Sequence, residues 1–274
     1  DGKTGVIFGA LNEDSIAWSV AQACHREGAD FVLSNAPVAR RLGSLDALAE
    51  ETDSPIIWAD ATDDEELAAL FEEVKDEYGS IDFIVHSIGM GVNVRKDVPY
   101  EDLNYNWYEQ TLDVSAVSLH RIVNHALDTE AIDDGGSILA MSYIGAERIF
   151  SKYSEMGDAK ALLESIVRSF GYRLGERNIR INAISQSPTK TTAGSGIDGF
   201  DASTLKSASP SSGDLRSSRA RRFRSGPPRS VGQIRTSEVR SRSSATAARY
   251  ALVSEDATTR GDSNVATKSR TNSS

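Results

Sequence analysis

The sequence predicts a single α/β domain built on a doubly wound parallel sheet. Strand-like and helical stretches alternate strictly from the first residues to about residue 200. A chain of 274 residues with 39% hydrophobic content can bury one substantial core. The first strand-like run also closes on a glycine, Gly9, and a short connection without further glycines leads to a helix opening at Ser15, at the place where ligand-binding sheets of this type hold their ligands.

Each element follows from its own pattern. Apolar runs bounded by turn residues predict strands over residues 4–9, 30–34, 55–59, 81–87, 136–142 and 180–185. Between them, apolar residues at helical spacing predict helices over 15–27, 42–51, 64–78, 107–127 and 153–173. Ser15 is placed to cap the first helix. The acidic groups Asp63 to Glu66 and Glu72 to Glu77 read as the solvated face of the third helix. Strand and helix in strict alternation imply right-handed crossovers and a parallel, Rossmann-like sheet covered on both faces. Ligands in such folds bind beyond the carboxyl ends of the strands, so the residues just after each strand carry the functional reading.

Beyond Phe200 the pattern stops. Residues 201–274 contain 18 serines and 12 arginines, five of the latter in RSSRARRFR, Arg216 to Arg224. No buried strand is expected there, except near Tyr250 to Val253, and the segment reads as disordered or irregular. The division is therefore a catalytic domain over 1–200 and a Ser/Arg-rich segment over 201–274. A Ser/Arg/Thr/Ala mixture of this kind is also what a shifted reading frame of a GC-rich gene yields.

Charge divides at the same place. Residues 1–200 hold 34 acidic against 16 basic side chains, and residues 201–274 hold 6 against 14. The acidic body argues against nucleic-acid binding, which needs clustered Lys and Arg. No apolar stretch approaches the roughly 20 residues of a membrane span, and no leader precedes the first strand, so a cytoplasmic protein without membrane contact is expected. Cys24 is the only cysteine, which excludes an internal disulfide and a CxxC site. His25, His86, His120 and His125 show no ligand spacing, so no metal is expected, and His86 reads as structural. Trp18, Trp58 and Trp107 read as packing residues.

Five segments carry chemistry. FGALNEDSIAW places Gly9, Ser15 and Ile16 where a strand gives way to a helix N-terminus, a natural seat for a pyrophosphate. IIWADAT puts Asp60 and Ala61 after the third strand, and VHSIGM puts Ser87, Ile88 and Gly89 after the fourth. AMSYIGAERIFSKYSEMGDAK contains Met141, Tyr143, Tyr153 and Lys160. On an α-helix the seven residues from Tyr153 to Lys160 turn through about 700°, which predicts both side chains on one face about 10 Å apart along the axis. NAISQSPTKTTAGSGI follows the sixth strand and carries Pro188, Thr189 and Thr191, with Gly194 and Gly196 in place for a moving loop.

Together these segments resemble the short-chain dehydrogenase/reductases, and among them the enoyl-acyl-carrier-protein reductases of the NADH type. The resemblance covers about the first 200 residues. It implies that Tyr153, Lys160 and Tyr143 are catalytic. It implies a cofactor site made by Gly9, Ser15, Ile16, Asp60, Ala61, Ser87, Ile88, Gly89, Met141, Lys160, Pro188, Thr189 and Thr191. In that reading Asp60 clasps the adenine, Lys160 binds the nicotinamide ribose and lowers the pKa of Tyr153, and Tyr153 stabilises the enolate oxygen of the substrate. The implied reaction is reduction of a trans-2-enoyl thioester carried on acyl carrier protein, by a protein that forms a homotetramer if its C-terminus folds. NADH is the expected cofactor, because Asn35 and Ala36 stand at the ribose end and neither is basic. Arg40 and Arg41 leave NADPH open if their loop folds back. The family's seventh strand and glycine-rich C-terminal turn have no counterpart here.

Two other readings stay open at this level. One is a ketone or 3-oxoacyl reductase of the wider superfamily, against which Met156 stands four residues before Lys160, where those enzymes carry tyrosine. The other is a non-catalytic dinucleotide sensor or a nucleic-acid-binding protein acting through the basic tail.

Overall fold

The computed structural model describes residues 2–150 and 152–186, together with the backbone of residues 219–221. All of these fall within one compact unit, Asp1–Arg229. Its strands are β1 (Thr4–Phe8), β2 (Asp30–Asn35), β3 (Ile56–Trp58), β4 (Ile81–His86), β5 (Ile132–Tyr143), β6 (Arg180–Gln186) and β7 (Arg219–Arg221). They form one sheet in the order β3-β2-β1-β4-β5-β6-β7. The first six are parallel, and β7 pairs antiparallel with β6.

β7 corrects the reading of residues 219–221 as disordered or irregular. Its ladder joins Arg221 to Ala183 and Arg219 to Ser185. Pairing at a sheet edge uses main-chain groups, so three residues of RSSRARRFR can extend the sheet without an apolar pattern. The rest of residues 201–274, including Tyr250 to Val253, lies outside the described residues, as does the frame-shift reading.

Alternation along β1 explains the two layers. Val6 and Phe8 point into a core built with α3 (Asp64–Tyr78), α6 (Ser118–Asp128) and α7 (Met156–Arg173), while Ile7 points into a core with α1 (Ile16–Arg26) and α2 (Leu45–Thr52). Phe8, Phe31 and Phe71 are fully buried, and each such side chain contributes about 1.5–3 kcal/mol on leaving water. α3 starts where Asp63 accepts from the N–H groups of Glu65 and Glu66. Trp18 is buried in the second core, as expected of a packing residue. Among the described residues, no helix is long and apolar enough to cross a membrane.

Three helix boundaries differ from expectation. The helix expected over 107–127 is interrupted: α5 (Tyr105–Leu112) meets α6 through a π-helical turn, Asp113–Val117. The second helix begins at Leu45, with Ser44 at its N-cap, after a separate 3-10 turn over Pro37–Arg41. α7 begins at Met156, so Tyr153 lies before the helix. Ser154 has a left-handed backbone, φ 36°, which a continuing helix does not accommodate.

Candidate active site

β1 and β4 are neighbours, and the chain beyond them packs helices on opposite faces, α1 after β1 in one core and α6, farther along from β4, in the other. A crevice therefore opens at their carboxyl ends, the switch point where ligands bind in such sheets. Gly9 turns the chain there with φ 96°, and a Cβ on it would sit 2.3 Å from the carbonyl oxygen of Ser87. Only glycine fits this approach, which is reinforced by the N–H of Ser87 donating to the carbonyl of Phe8 at 3.2 Å.

A cavity of about 340 Å³ occupies the crevice, within the range of ligand sites. In sheet order its walls carry Asp60 and Ala61 after β3, Asn35 and Ala36 at β2, Gly9, Ser15 and Ile16 after β1, and Ser87, Ile88 and Gly89 after β4. Met141 and Tyr143 of β5, then Tyr153 and Lys160, complete it. Twelve of the residues expected at the site thus line one cavity. Pro188, Thr189 and Thr191, with the loop glycines Gly194 and Gly196, lie outside the described residues.

The local bonding departs from expectation at several of these positions. Ser15 stands at the N-cap of α1 but does not cap it: its hydroxyl donates to the carbonyl of Asn12 at 2.6 Å and accepts from the N–H of Leu11 at 3.2 Å. The first N–H groups of α1 are left without that side-chain acceptor, which favours an anion there. Asp60 accepts from the N–H and hydroxyl of Thr62 at 2.9 and 2.7 Å, and so shapes its own turn while Asp63 caps α3. Asn35 spans β1 and β2, donating to the carbonyl of Ala10 and accepting from the N–H of Ala36, both at 2.8 Å. Arg40 stacks its guanidinium over the Trp58 ring at 4.8 Å.

Lys160 is 6% exposed, on the first turns of α7. Its ammonium donates to the carbonyls of Met141 at 2.8 Å and Ile88 at 3.4 Å. Burial lowers its pKa to about 8. Beside it His86 is fully buried, shares a 2.8 Å hydrogen bond with Ser118, and is held at about 3 by burial first and the charge of Lys160 second. A neutral, core histidine matches its structural reading.

Tyr153 is 8% exposed and packs its ring against that of Tyr143, 4.7 Å between centroids. Phe150 adds a third ring, 5.6 Å from Tyr143. Burial raises Tyr143 to about 12. It pushes the hydroxyl of Tyr153 well above the ordinary tyrosine range, with a smaller push from Tyr143. Two expectations are corrected here. Tyr153 and Lys160 do not share a helix face, since only Lys160 is on the helix. Nor does Lys160 lower the pKa of Tyr153, because loss of water dominates at so buried a hydroxyl.

Beyond Gly89 the structure adds cavity residues that the sequence pattern does not mark. Met90, Gly91, Val94 and Arg95 line the cavity, three of them in or beside α4 (Val92–Arg95). Glu155, fully buried, fastens this segment to the tyrosine turn by accepting from Asn93 N–H, Val94 N–H and Thr111 hydroxyl at 3.1, 3.4 and 3.2 Å. Ser115, in the π turn, holds both the N–H and the carbonyl of Met90, at 2.9 and 3.0 Å. A four-residue helix has no periodicity to detect, but a glutamate between Ser154 and Met156, two residues after Tyr153, was a signal available.

Comparison with known proteins agrees with this geometry. Residues 9–214 match the family model described as enoyl-(acyl carrier protein) reductase. The chain is 38% identical over 201 residues to enoyl-[acyl-carrier-protein] reductase [NADH] 1 of Rhizobium meliloti (strain 1021), covering 73% of each protein. It is 34% identical over 202 residues to the enzyme FabI of Bacillus cereus, named as NADH-dependent, covering 73% of this chain and 78% of that one. Among solved structures it resembles the FabI–NADH complex of Alistipes finegoldii, with 51% identity and a TM-score of 0.71 over 73% of this chain and 71% of that one.

Proposed function

Since the chain belongs to the enoyl-(acyl carrier protein) reductase family, we propose that its cavity binds NADH and a trans-2-enoyl thioester side by side. The protein is an oxidoreductase that carries out the last reductive step of fatty-acid elongation, with acyl carrier protein bearing the substrate. The observation that carries the site assignment is the convergence of Tyr143, Tyr153 and Lys160 on the cavity that also holds the strand-end residues.

The residues fit a dinucleotide. Gly9 leaves a cradle that any Cβ would fill, and the start of α1 offers N–H groups to a pyrophosphate. Asp60 and Ala61 stand where the adenine end belongs, and Ser87, Ile88 and Gly89 run between the two ends. Neither Asn35 nor Ala36 offers a positive charge to a 2′-phosphate, and Arg40 is engaged with Trp58, in keeping with NADH. Bound NADH supplies the hydride that reduces the β-carbon of the enoyl group.

The protein's part is positioning and charge stabilisation. Two hydrogens of the Lys160 ammonium are taken by Met141 and Ile88, which leaves the third for ribose hydroxyls. Tyr153, whose burial favours the protonated form, keeps its proton and donates a hydrogen bond from its hydroxyl to the thioester oxygen as negative charge develops there. Tyr143 walls the same region and keeps water out. Delivery of the substrate by acyl carrier protein, a homotetramer and a cytoplasmic location belong to the same reading.

The test is NADH oxidation with a trans-2-enoyl thioester against a 3-oxoacyl thioester. Turnover of the enoyl compound alone is expected. Preference for the 3-oxoacyl compound would assign the protein to the ketone-reductase reading.

A further inference from the structure

Between the two tyrosines of the site lies Gly145, in the 3-10 turn Ile144–Ala146 after β5. A Cβ built on it would meet Cδ1 and Cε1 of Tyr153 at 2.6 Å and Cδ1 of Tyr143 at 2.8 Å. Its carbonyl oxygen is itself close-packed, 3.1 Å from where a Cβ on Gly157 in the first turn of α7 would sit. Gly145 does not have the positive φ found at Gly9, Gly79 or Gly135. Its backbone would therefore accept alanine, and the obstacle to a side chain is the pair of aromatic rings.

We propose that Gly145 is a positioning residue for the enoyl reduction: the missing side chain lets the Tyr153 ring lie where its hydroxyl meets the substrate oxygen. This rests on the reading of Tyr153 as the hydroxyl donor. A methyl group at 145 forces the rings to move toward ordinary contact distance, and a shift of order 1 Å at a reacting group can cost about 10²-fold in rate. The cofactor contacts of Lys160 and Gly9 lie on other elements and stay in place.

The experiment is a double-mutant cycle with Gly145→Ala and Tyr153→Phe, reading turnover on a trans-2-enoyl thioester and NADH affinity by fluorescence. Gly145→Ala is expected to lower kcat by about 10- to 100-fold while NADH affinity stays within about twofold. In the Tyr153→Phe background the same change should cost less than about threefold, because the hydroxyl it misplaces is already gone. Equal losses in both backgrounds, or an unchanged kcat, overturn the proposal. If Gly145→Ala does not fold, Gly157→Ala presses on the Gly145 carbonyl more gently. It should give a smaller fall in kcat that also vanishes with Tyr153→Phe, and a fall that persists there overturns the proposal. An unchanged rate in Tyr153→Phe alone removes the role of Tyr153 itself and the proposal with it.

Discussion

The ammonium of Lys160 donates to the main-chain carbonyl of Met141 at 2.8 Å, which ties α7 to the end of β5 from inside the cavity. Such a contact orients a buried cation without neutralising it, so the charge is retained only while the amine holds its proton.

Cofactor binding should therefore weaken in alkali. Burial lowers Lys160 to about 8 in the protein without cofactor, so NADH affinity should fall as pH rises through that value. Lys160→Met should bind NADH more weakly at pH 7 and lose the pH dependence. Fluorescence titration from pH 6 to 9.5 measures both; equal affinity in the two proteins would return Lys160 to a packing role.

Gly9→Ala should be destabilising and should impair NADH binding. Its φ of 96° and the 2.3 Å approach to the Ser87 oxygen leave no strain-free place for a methyl. Strain of this kind costs about 1–3 kcal/mol, and it opens the junction between β1 and β4 where the cofactor lies. Urea unfolding paired with the same titration checks the prediction.

Acid should destabilise the fold through His86. Its folded pKa is depressed to about 3 from 6.5, so the unfolded chain binds the extra proton first as pH falls through 6.5. Stability contributed by the neutral ring is present above 6.5 and declines from there down to about 3. The difference in unfolding free energy between wild type and His86→Asn should narrow over that window. A constant difference would mean that His86 is not buried neutral.

Much of this was legible in the sequence, for identifiable reasons. β1, β4 and β6 are apolar runs closed by turn residues, so their carboxyl ends, and hence Gly9 and Ser87, could be placed within a residue. α3 carried its own start signal in Asp63. The misreadings lie where tertiary contacts outweigh local pattern. Tyr153 leaves the helix because Ser154 takes a left-handed conformation that no glycine announces. Ser15 turns back to Leu11 and Asn12, although its residue type favours a cap. α4 is set by Glu155, some 60 residues away in the chain, and long-range bonds leave no periodic trace.

The most direct test is steady-state turnover of trans-2-enoyl acyl carrier protein by the wild type and Tyr153→Phe, with NADH affinity measured on both. Loss of a single charge-stabilising donor typically costs about 10²- to 10³-fold, and a fall of that size with unchanged NADH affinity is predicted. Wild-type turnover in Tyr153→Phe would contradict the assignment of Tyr153 as the group that meets the developing enolate.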